Sequence, residues 1–112
     1  EALNKVCDIK NSEDTEMMWV YFKDTGLFKI ENLSNIPSIF IRDDIRMTLD
    51  YSDDLLFFEK IIDHFYENFE FNYSLYDIIS FLDENNEIIK INSYLQNEWR
   101  NNQISKTKLK LL

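Results

Sequence analysis

The scarcity of glycine and proline constrains this chain more than any other feature of its sequence. The 112 residues include one glycine, Gly26, and one proline, Pro37. Phosphate-cradling loops of the P-loop and dinucleotide-binding types require several glycines at fixed spacing. Since neither pattern occurs, the chain cannot form either kind of nucleotide-binding site by itself.

The composition predicts a folded, acidic protein. Apolar residues make up 45% of the chain and aromatic residues 15%, more than a disordered chain carries, so we expect a buried core. The formal net charge is -9, from 21 acidic and 12 basic residues. Nucleic acids and anionic membranes bind clusters of Lys and Arg, so we expect neither as a partner. An acidic surface most often serves solubility, and divalent-cation binding is the alternative.

The sequence predicts a cytoplasmic protein. It contains no apolar run of about eighteen residues and no signal-peptide pattern at its start. The single cysteine, Cys7, excludes an intramolecular disulfide and fits a reducing compartment; its apolar surroundings predict a small core residue. The chain starts at Glu1 rather than at a methionine, which fits either a trimmed chain or a fragment of a longer protein.

The first half of the chain is predicted to hold helix and then short strands. Apolar residues at helical spacing predict the end of a helix over residues 2–9. Ser12 suits an N-cap and Gly26 suits the left-handed residue after a helix end, so a second helix is expected over about 13–24. β-Branched and aromatic residues then predict short strands. These strands cover residues 27–30, 36–41 and 45–50.

The second half is predicted to be helical. A helix capped by Ser52 would carry a buried apolar stripe with a period of 3.6 residues. The stripe comprises Leu55, Phe58, Ile61, Ile62 and Phe65. Ser74 and Asp77 have capping-box spacing at the start of another helix, and a last helix begins at about Ser93. The predicted fold class is therefore α+β, rich in helix with a few short strands. The chain is predicted to form one segment over residues 1–104, followed by a basic, frayed tail over residues 105–112.

The candidate site lies where the last predicted strand meets the helix after it. The strand ends at Asp50, and ligands of α/β folds bind at the carboxyl ends of strands. Mg²⁺ takes one or two protein carboxylates and completes its shell with water and phosphate oxygens. Asp50 is therefore a candidate metal ligand, with Asp53 in support. In the alternative, Asp50 caps the turn, and Asp53 and Asp54 interact with the helix dipole.

The same stretch resembles the Arg-x-Thr-x-Asp-Tyr-Pro-Glu-Asp-Leu segment of the cytidylyltransferase family. That family includes spore-coat polysaccharide nucleotidyltransferases and the acylneuraminate and Kdo cytidylyltransferases. The matching residues are Arg46, Thr48, Asp50, Tyr51, Asp54 and Leu55. Ser52 and Asp53 replace the usual Pro and Glu. Downstream, residues 73–85 are similar to the Phe-Ser-Leu-Glu-Asp-Ile-Ile-x-Leu-Leu-Asp segment of the spore-coat branch, and 89–92 to its Leu-x-x-Ile-Asn ending.

Upstream the resemblance is weaker. Asp14, Thr15 and Glu16 are similar to part of an Asp-x-Glu-His-Val-Thr-x-Tyr segment, but the His is absent.

The resemblance implies a C-terminal portion of an α/β nucleotidyltransferase fold. The family couples CTP to a sugar or sugar acid, with release of pyrophosphate and with Mg²⁺ offsetting phosphate charge, in surface polysaccharide biosynthesis. It implies that Asp50 is a metal ligand and that Arg46 is a catalytic residue, contacting either the substrate or a neighbouring carboxylate. The family's Gly-Ser-Arg loop for CTP is absent, so the piece is expected to be inactive alone.

Two grounds predict a homo-oligomer: apolar surface exposed by the missing half, and the dimer contacts of the family. The competing hypothesis is a non-enzymatic, acidic, helical module for protein interaction or dimerisation. Under either hypothesis His64 is expected at a helix surface or at the edge of the core, without a metal partner.

Overall fold

The structure is a computed structural model that describes residues 1–13 and 17–112. The chain forms two compact units. One comprises Glu1–Ser34 and Arg100–Leu112, and the other comprises Asn35–Trp99. Six α-helices occur in the described residues: α1 Ala2–Ile9, α2 Trp19–Lys23, α3 Ser52–Glu67, α4 Leu75–Glu84, α5 Asn86–Ile89 and α6 Leu95–Lys106. A 3₁₀ turn covers Ser38–Phe40. None of these helices is long and apolar enough to span a bilayer.

The first unit is built around Val6 of α1 and two residues of α2, Val20 and Tyr21, all of which are buried. The predicted second helix begins at Trp19 rather than near residue 13, and Gly26 adopts the expected left-handed φ of 69° after its end. The resemblance noted for residues 14–16 lies outside the described residues. Cys7 is exposed, against expectation.

The C-terminal tail belongs to the first unit and pairs with the chain after α1. The amide of Asn11 donates to the carbonyl of Lys110, and that of Leu112 to the carbonyl of Ile9, each at 2.9 Å. The amide of Lys110 also donates to the Tyr21 hydroxyl at 3.3 Å. The residues predicted as a frayed tail, 105–112, therefore include the end of α6 and these backbone contacts.

The prediction of helix-rich structure is confirmed, but the predicted strands are absent from the described residues. An isolated bridge between Lys10 and Leu111 is the β-type pairing seen there. Residues 27–30 and 45–50 are irregular, and 36–41 contain the 3₁₀ turn. A strand requires hydrogen bonds to a neighbouring strand, and the β-branched residues of these segments meet no such neighbour. Local composition therefore gave the wrong secondary structure.

The second unit is held together by α3, α4 and α5. Its core consists of fully or nearly buried residues from these helices, which are Phe57, Ile61, Phe65, Leu82, Ile88 and Ile89. The predicted capping box at α4 is confirmed, since Ser74 Oγ accepts from the Asp77 amide at 3.2 Å and Asp77 Oδ2 accepts from the Ser74 amide at 2.7 Å. Such caps satisfy amides that lack a helical partner.

The predicted buried stripe of α3 is partly wrong. Phe57, Ile61 and Phe65 face the core, whereas Leu55 and Ile62 are exposed. Helical residues advance by about 100° each, so the buried side chains form a row separated from Leu55 and Ile62 by about a quarter turn. Helix α3 therefore has two adjacent apolar rows, and the unit buries one of them.

Helix α3 ends in a Schellman turn with a phenylalanine in the left-handed position. The Glu70 amide donates to the Phe65 carbonyl at 2.8 Å, and the Phe69 amide to the Tyr66 carbonyl at 3.1 Å. Phe69 has a φ of 56°. Glycine is the usual residue at this position, and a residue with a side chain costs roughly 1–2 kcal/mol in that conformation.

Candidate functional site: a buried arginine network

The motif stretch is organised around the guanidinium of Arg46, a residue that is 3% exposed. Its Nε donates to Asp54 Oδ1 at 2.9 Å, and its Nη2 donates to Asp54 Oδ2 at 3.1 Å. Asp54 is fully buried. The two parallel hydrogen bonds form a bidentate pair, which is the strongest common arrangement between arginine and a carboxylate.

Arg46 has further contacts in the second unit. Its Nη2 donates to Asp50 Oδ2 at 2.8 Å, and its Nη1 donates to Gln96 Oε1 at 3.0 Å. The rings of Tyr51 and Trp99 lie 5.6 and 5.8 Å from the guanidinium carbon. Both distances are within the range of a cation–π contact, so hydrogen bonds and aromatic rings together stabilise the buried cation.

The Asp54 carboxylate fixes the chain that precedes α3. Its Oδ2 accepts from the amides of Asp50 at 2.9 Å and Tyr51 at 3.0 Å. Burial alone would raise the pKa of Asp54, but hydrogen bonds from Arg46, from these two amides and from Asn92 outweigh burial and lower the pKa to about 2. Asp54 therefore remains ionised at neutral pH.

Asn92 connects the network to the chain after α5. The residue is fully buried. Its Nδ2 donates to the Arg46 carbonyl at 3.0 Å and to Asp54 Oδ1 at 2.9 Å. Asn92 thus bridges Asp54 and Arg46, which lie 38 and 46 positions before it in the chain. The chain before α3, the start of α3 and the chain after α5 are therefore joined through the Asp54 carboxylate and the Asn92 side-chain amide.

Asp50, the predicted metal ligand, lies at the edge of the network. Its side chain is 43% exposed, and one of its oxygens accepts from Arg46. The expected position at a strand end is wrong, because the segment before it is irregular. An accessible carboxylate fits a role as one ligand of a hard cation, although the neighbouring guanidinium opposes a second positive charge.

The carboxylates that lie near Asp50 in sequence have hydrogen-bond partners of their own, and Asp54 is committed to Arg46. The supporting candidate, Asp53, accepts a hydrogen bond from the Tyr94 hydroxyl. In residues 1–13 and 17–112, no group of three or more His, Cys, Asp or Glu side chains is arranged to hold a metal. A cation bound here would take most of its ligands from water or from a phosphate.

Arg46, the predicted catalytic residue, contacts neighbouring carboxylates, which is one of the two roles that the motif suggested. Its side chain is 1% exposed, so direct contact with a substrate would require the network to open. The substrate contact stays a prediction. His64 stacks on Phe81 with ring centroids 3.9 Å apart, at the edge of the core as expected.

Two members of the network, Gln96 and Trp99, were not assigned to the site from the sequence. Both lie on α6, about fifty residues after Arg46, and no local pattern links them to it. Asn92 was visible only as the last residue of the motif ending.

Comparisons with known proteins gave no support for a family assignment. No protein-family model, no curated protein and no solved structure matches the chain. The resemblance to cytidylyltransferases therefore rests on the motif residues alone.

Proposed function

We propose that this chain is the C-terminal part of a cytidylyltransferase-type nucleotidyltransferase. In this proposal the complete enzyme is cytoplasmic, activates a sugar or sugar acid with CTP and releases pyrophosphate. The activated sugar would be used in the biosynthesis of a surface polysaccharide. The observation that carries the proposal is the convergence of the motif residues. Arg46, Asp50, Tyr51 and Asp54, together with Asn92 of the motif ending, form one hydrogen-bonded network.

The network gives Arg46, Asp50, Asp54 and Asn92 roles that suit this proposal. Asp54 and Asn92 keep Arg46 in place, and Arg46 in turn orients the carboxylate of Asp50 through the 2.8 Å contact. Asp50 would supply one carboxylate to Mg²⁺, which offsets phosphate charge when bound. Arg46 is then a positioning residue. The nucleotide-binding loop and a second metal-binding aspartate would come from the N-terminal half of the complete enzyme, and water and phosphate oxygens would complete the metal's shell.

Manganese titration of the isolated chain tests the role of Asp50. Mn²⁺ is paramagnetic and broadens the amide signals of nearby residues. We expect selective broadening at residues 50–51 at millimolar Mn²⁺, because one carboxylate binds such ions weakly. The Asp50→Asn variant should lose the broadening, and the matched Asp43→Asn variant, which changes an exposed acid nearby, should keep it. Broadening that is absent, or indifferent to Asp50→Asn, would exclude Asp50 as a metal ligand.

The reading frame upstream of Glu1 tests the proposed enzyme as a whole. A loop containing Gly, Ser and Arg, about a hundred or more residues before Glu1, would support the proposal, and a start codon immediately upstream would contradict it. In the longer protein, Asp50→Asn should lower the rate of nucleotidyl transfer by about 100-fold or more. Its free energy of unfolding should change by only about 1 kcal/mol, because the Asp50 side chain is half-exposed and Arg46 keeps its bidentate contact with Asp54.

A further inference from the structure

The second apolar row of α3 continues beyond the helix end and is exposed along its whole length. We call it the outer stripe, and it comprises Leu55, Ile62, Tyr66, Phe69 and Phe71. These residues are 50%, 52%, 68%, 83% and 66% exposed, respectively. Within α3, residues 55, 62 and 66 follow one another at intervals of seven and four, which is the spacing of a heptad seam, and Phe69 and Phe71 follow the helix end.

The aromatic residues of the outer stripe pack against one another rather than into the core. The rings of Tyr66 and Phe71 lie 5.8 Å apart at an interplanar angle of 71°, and those of Phe69 and Phe71 lie 6.4 Å apart at 83°. Both are edge-to-face contacts, which orient aromatic side chains. The stripe is therefore a preformed apolar surface.

The backbone at Phe69 gives an independent indication that this surface has a use. Phe69 occupies the left-handed position of the Schellman turn, where glycine is favoured. Its side chain gains little from burial, since it is the most exposed of the stripe. A strained residue whose side chain is exposed is more often found where that side chain has a function.

Charge argues against a second copy of this chain as the occupant. Residues 59–71 include four acids, Glu59, Asp63, Glu67 and Glu70, and one base, Lys60. Two copies would bring these carboxylates together, and each chain has a net charge of -9.

We propose that the outer stripe binds a basic amphipathic helix of another protein. The apolar face of that helix would cover the stripe, and its Lys and Arg residues would pair with the four acids beside it. A helix lying along α3 would bury apolar side chains at the heptad spacing that the stripe presents. This inference does not depend on the chain being part of a nucleotidyltransferase.

The probe is a synthetic helical peptide with leucine at heptad positions a and d and lysine at e and g. Its matched control carries glutamate in place of lysine. We expect the lysine peptide to shift the amide signals of residues 55–71 and to bind with a micromolar Kd, and the glutamate peptide to bind at least about tenfold more weakly. No binding of the lysine peptide, or equal binding of the two peptides, would overturn the proposal.

Variants of the outer stripe distinguish its role from a structural one. Ile62→Asp should weaken binding of the lysine peptide by about tenfold or more. Its control is Ile104→Asp, which alters an isoleucine of α6 that is 68% exposed and lies outside the stripe; this variant should bind normally. Phe69→Gly should weaken binding several-fold without lowering the melting temperature, because glycine suits the left-handed conformation.

Two outcomes of these measurements would contradict the proposal. Unchanged peptide affinity in both Ile62→Asp and Phe69→Gly would remove the stripe from the binding site. Sedimentation of the chain alone should give the same oligomeric state for the wild type and for Ile62→Asp; a dimer that Ile62→Asp dissociates would assign the stripe to a second copy instead.

Discussion

Arg46 and Arg42 lie four residues apart and bind aspartate in the same way, but in opposite surroundings. Arg46 donates to both oxygens of Asp54 at 2.9 and 3.1 Å, and Arg42 donates to both oxygens of Asp44 at 2.9 and 2.8 Å. The side chains of the first pair are 1% and 0% exposed, and those of the second are 21% and 54% exposed. Arg42 also pairs with the half-exposed Asp83.

The comparison shows that hydrogen-bond geometry alone does not determine what an ion pair contributes. Water solvates the Arg42 cluster in both the folded and the unfolded chain, so its loss costs little. The Arg46 network has no such alternative, because removal of the Asp54 charge leaves the buried cation with only the half-exposed Asp50 carboxylate as its ionic partner. Burial lets the Arg46 network fix the path of three chain segments, whereas the Arg42 cluster remains a surface contact.

The largest difference is expected when each pair loses its aspartate charge. Asp54→Asn should lower the free energy of unfolding by about 3–5 kcal/mol, because it leaves the Arg46 cation buried without its main partner. The matched Asp44→Asn variant should lose about 1 kcal/mol or less. Urea denaturation of both variants at pH 7 checks this. Similar losses in the two would show that burial does not separate the pairs.

The buried pair should also respond to acid in a way that the Asp54→Asn variant does not. The folded-state pKa of Asp54, about 2, lies below its ordinary value of 3.8. A lowered pKa contributes stability that is present above the ordinary pKa and is lost as the pH falls through the folded-state value. The contribution is about 2–3 kcal/mol, lost between about pH 5 and pH 2. In urea denaturation, the stabilities of wild type and Asp54→Asn should converge over that range. A constant difference would contradict the assignment.

A smaller effect is expected from the neutral member of the network. Asn92→Ala removes two buried hydrogen bonds and should lower the free energy of unfolding by about 1–3 kcal/mol. Asn97→Ala, at an exposed position of α6, should change it by no more than about 0.5 kcal/mol. Thermal unfolding of both variants provides the measurement. If Asn92→Ala proved neutral, Arg46 and Asp54 would hold the segments together without the bridge.

The sequence predicted two features that short-range chemistry determines, although it placed the cap of α3 at Ser52 instead of Tyr51. The Ser74–Asp77 capping box involves residues three positions apart, and the left-handed φ of Gly26 depends only on the conformational freedom of glycine. The strands were predicted wrongly because their existence depends on partners elsewhere in the chain. The stripe of α3 was wrong for a related reason. Apolar residues occupy two adjacent rows, and only the positions of α4 and α5 determine which row is buried.

For the candidate site, the sequence identified the stretch that forms the network but not the hydrogen bonds that its side chains make. Arg46 and Asp50 were singled out as chemical groups, and both belong to the network. Asp54 was expected to serve the helix dipole, whereas its carboxylate is the centre of the buried contacts. The bridging role of Asn92 depends on a contact across 46 residues, which no local pattern encodes.

The positions of the two tryptophans give each unit its own optical reporter. Trp19 lies on α2 of the first unit, and Trp99 lies next to the guanidinium of Arg46 in the second. Substitution of Trp19 by phenylalanine would leave the fluorescence of Trp99 to follow the second unit alone, and the reverse substitution would isolate the first. The order in which the two units unfold can therefore be measured in the intact chain, without an added label.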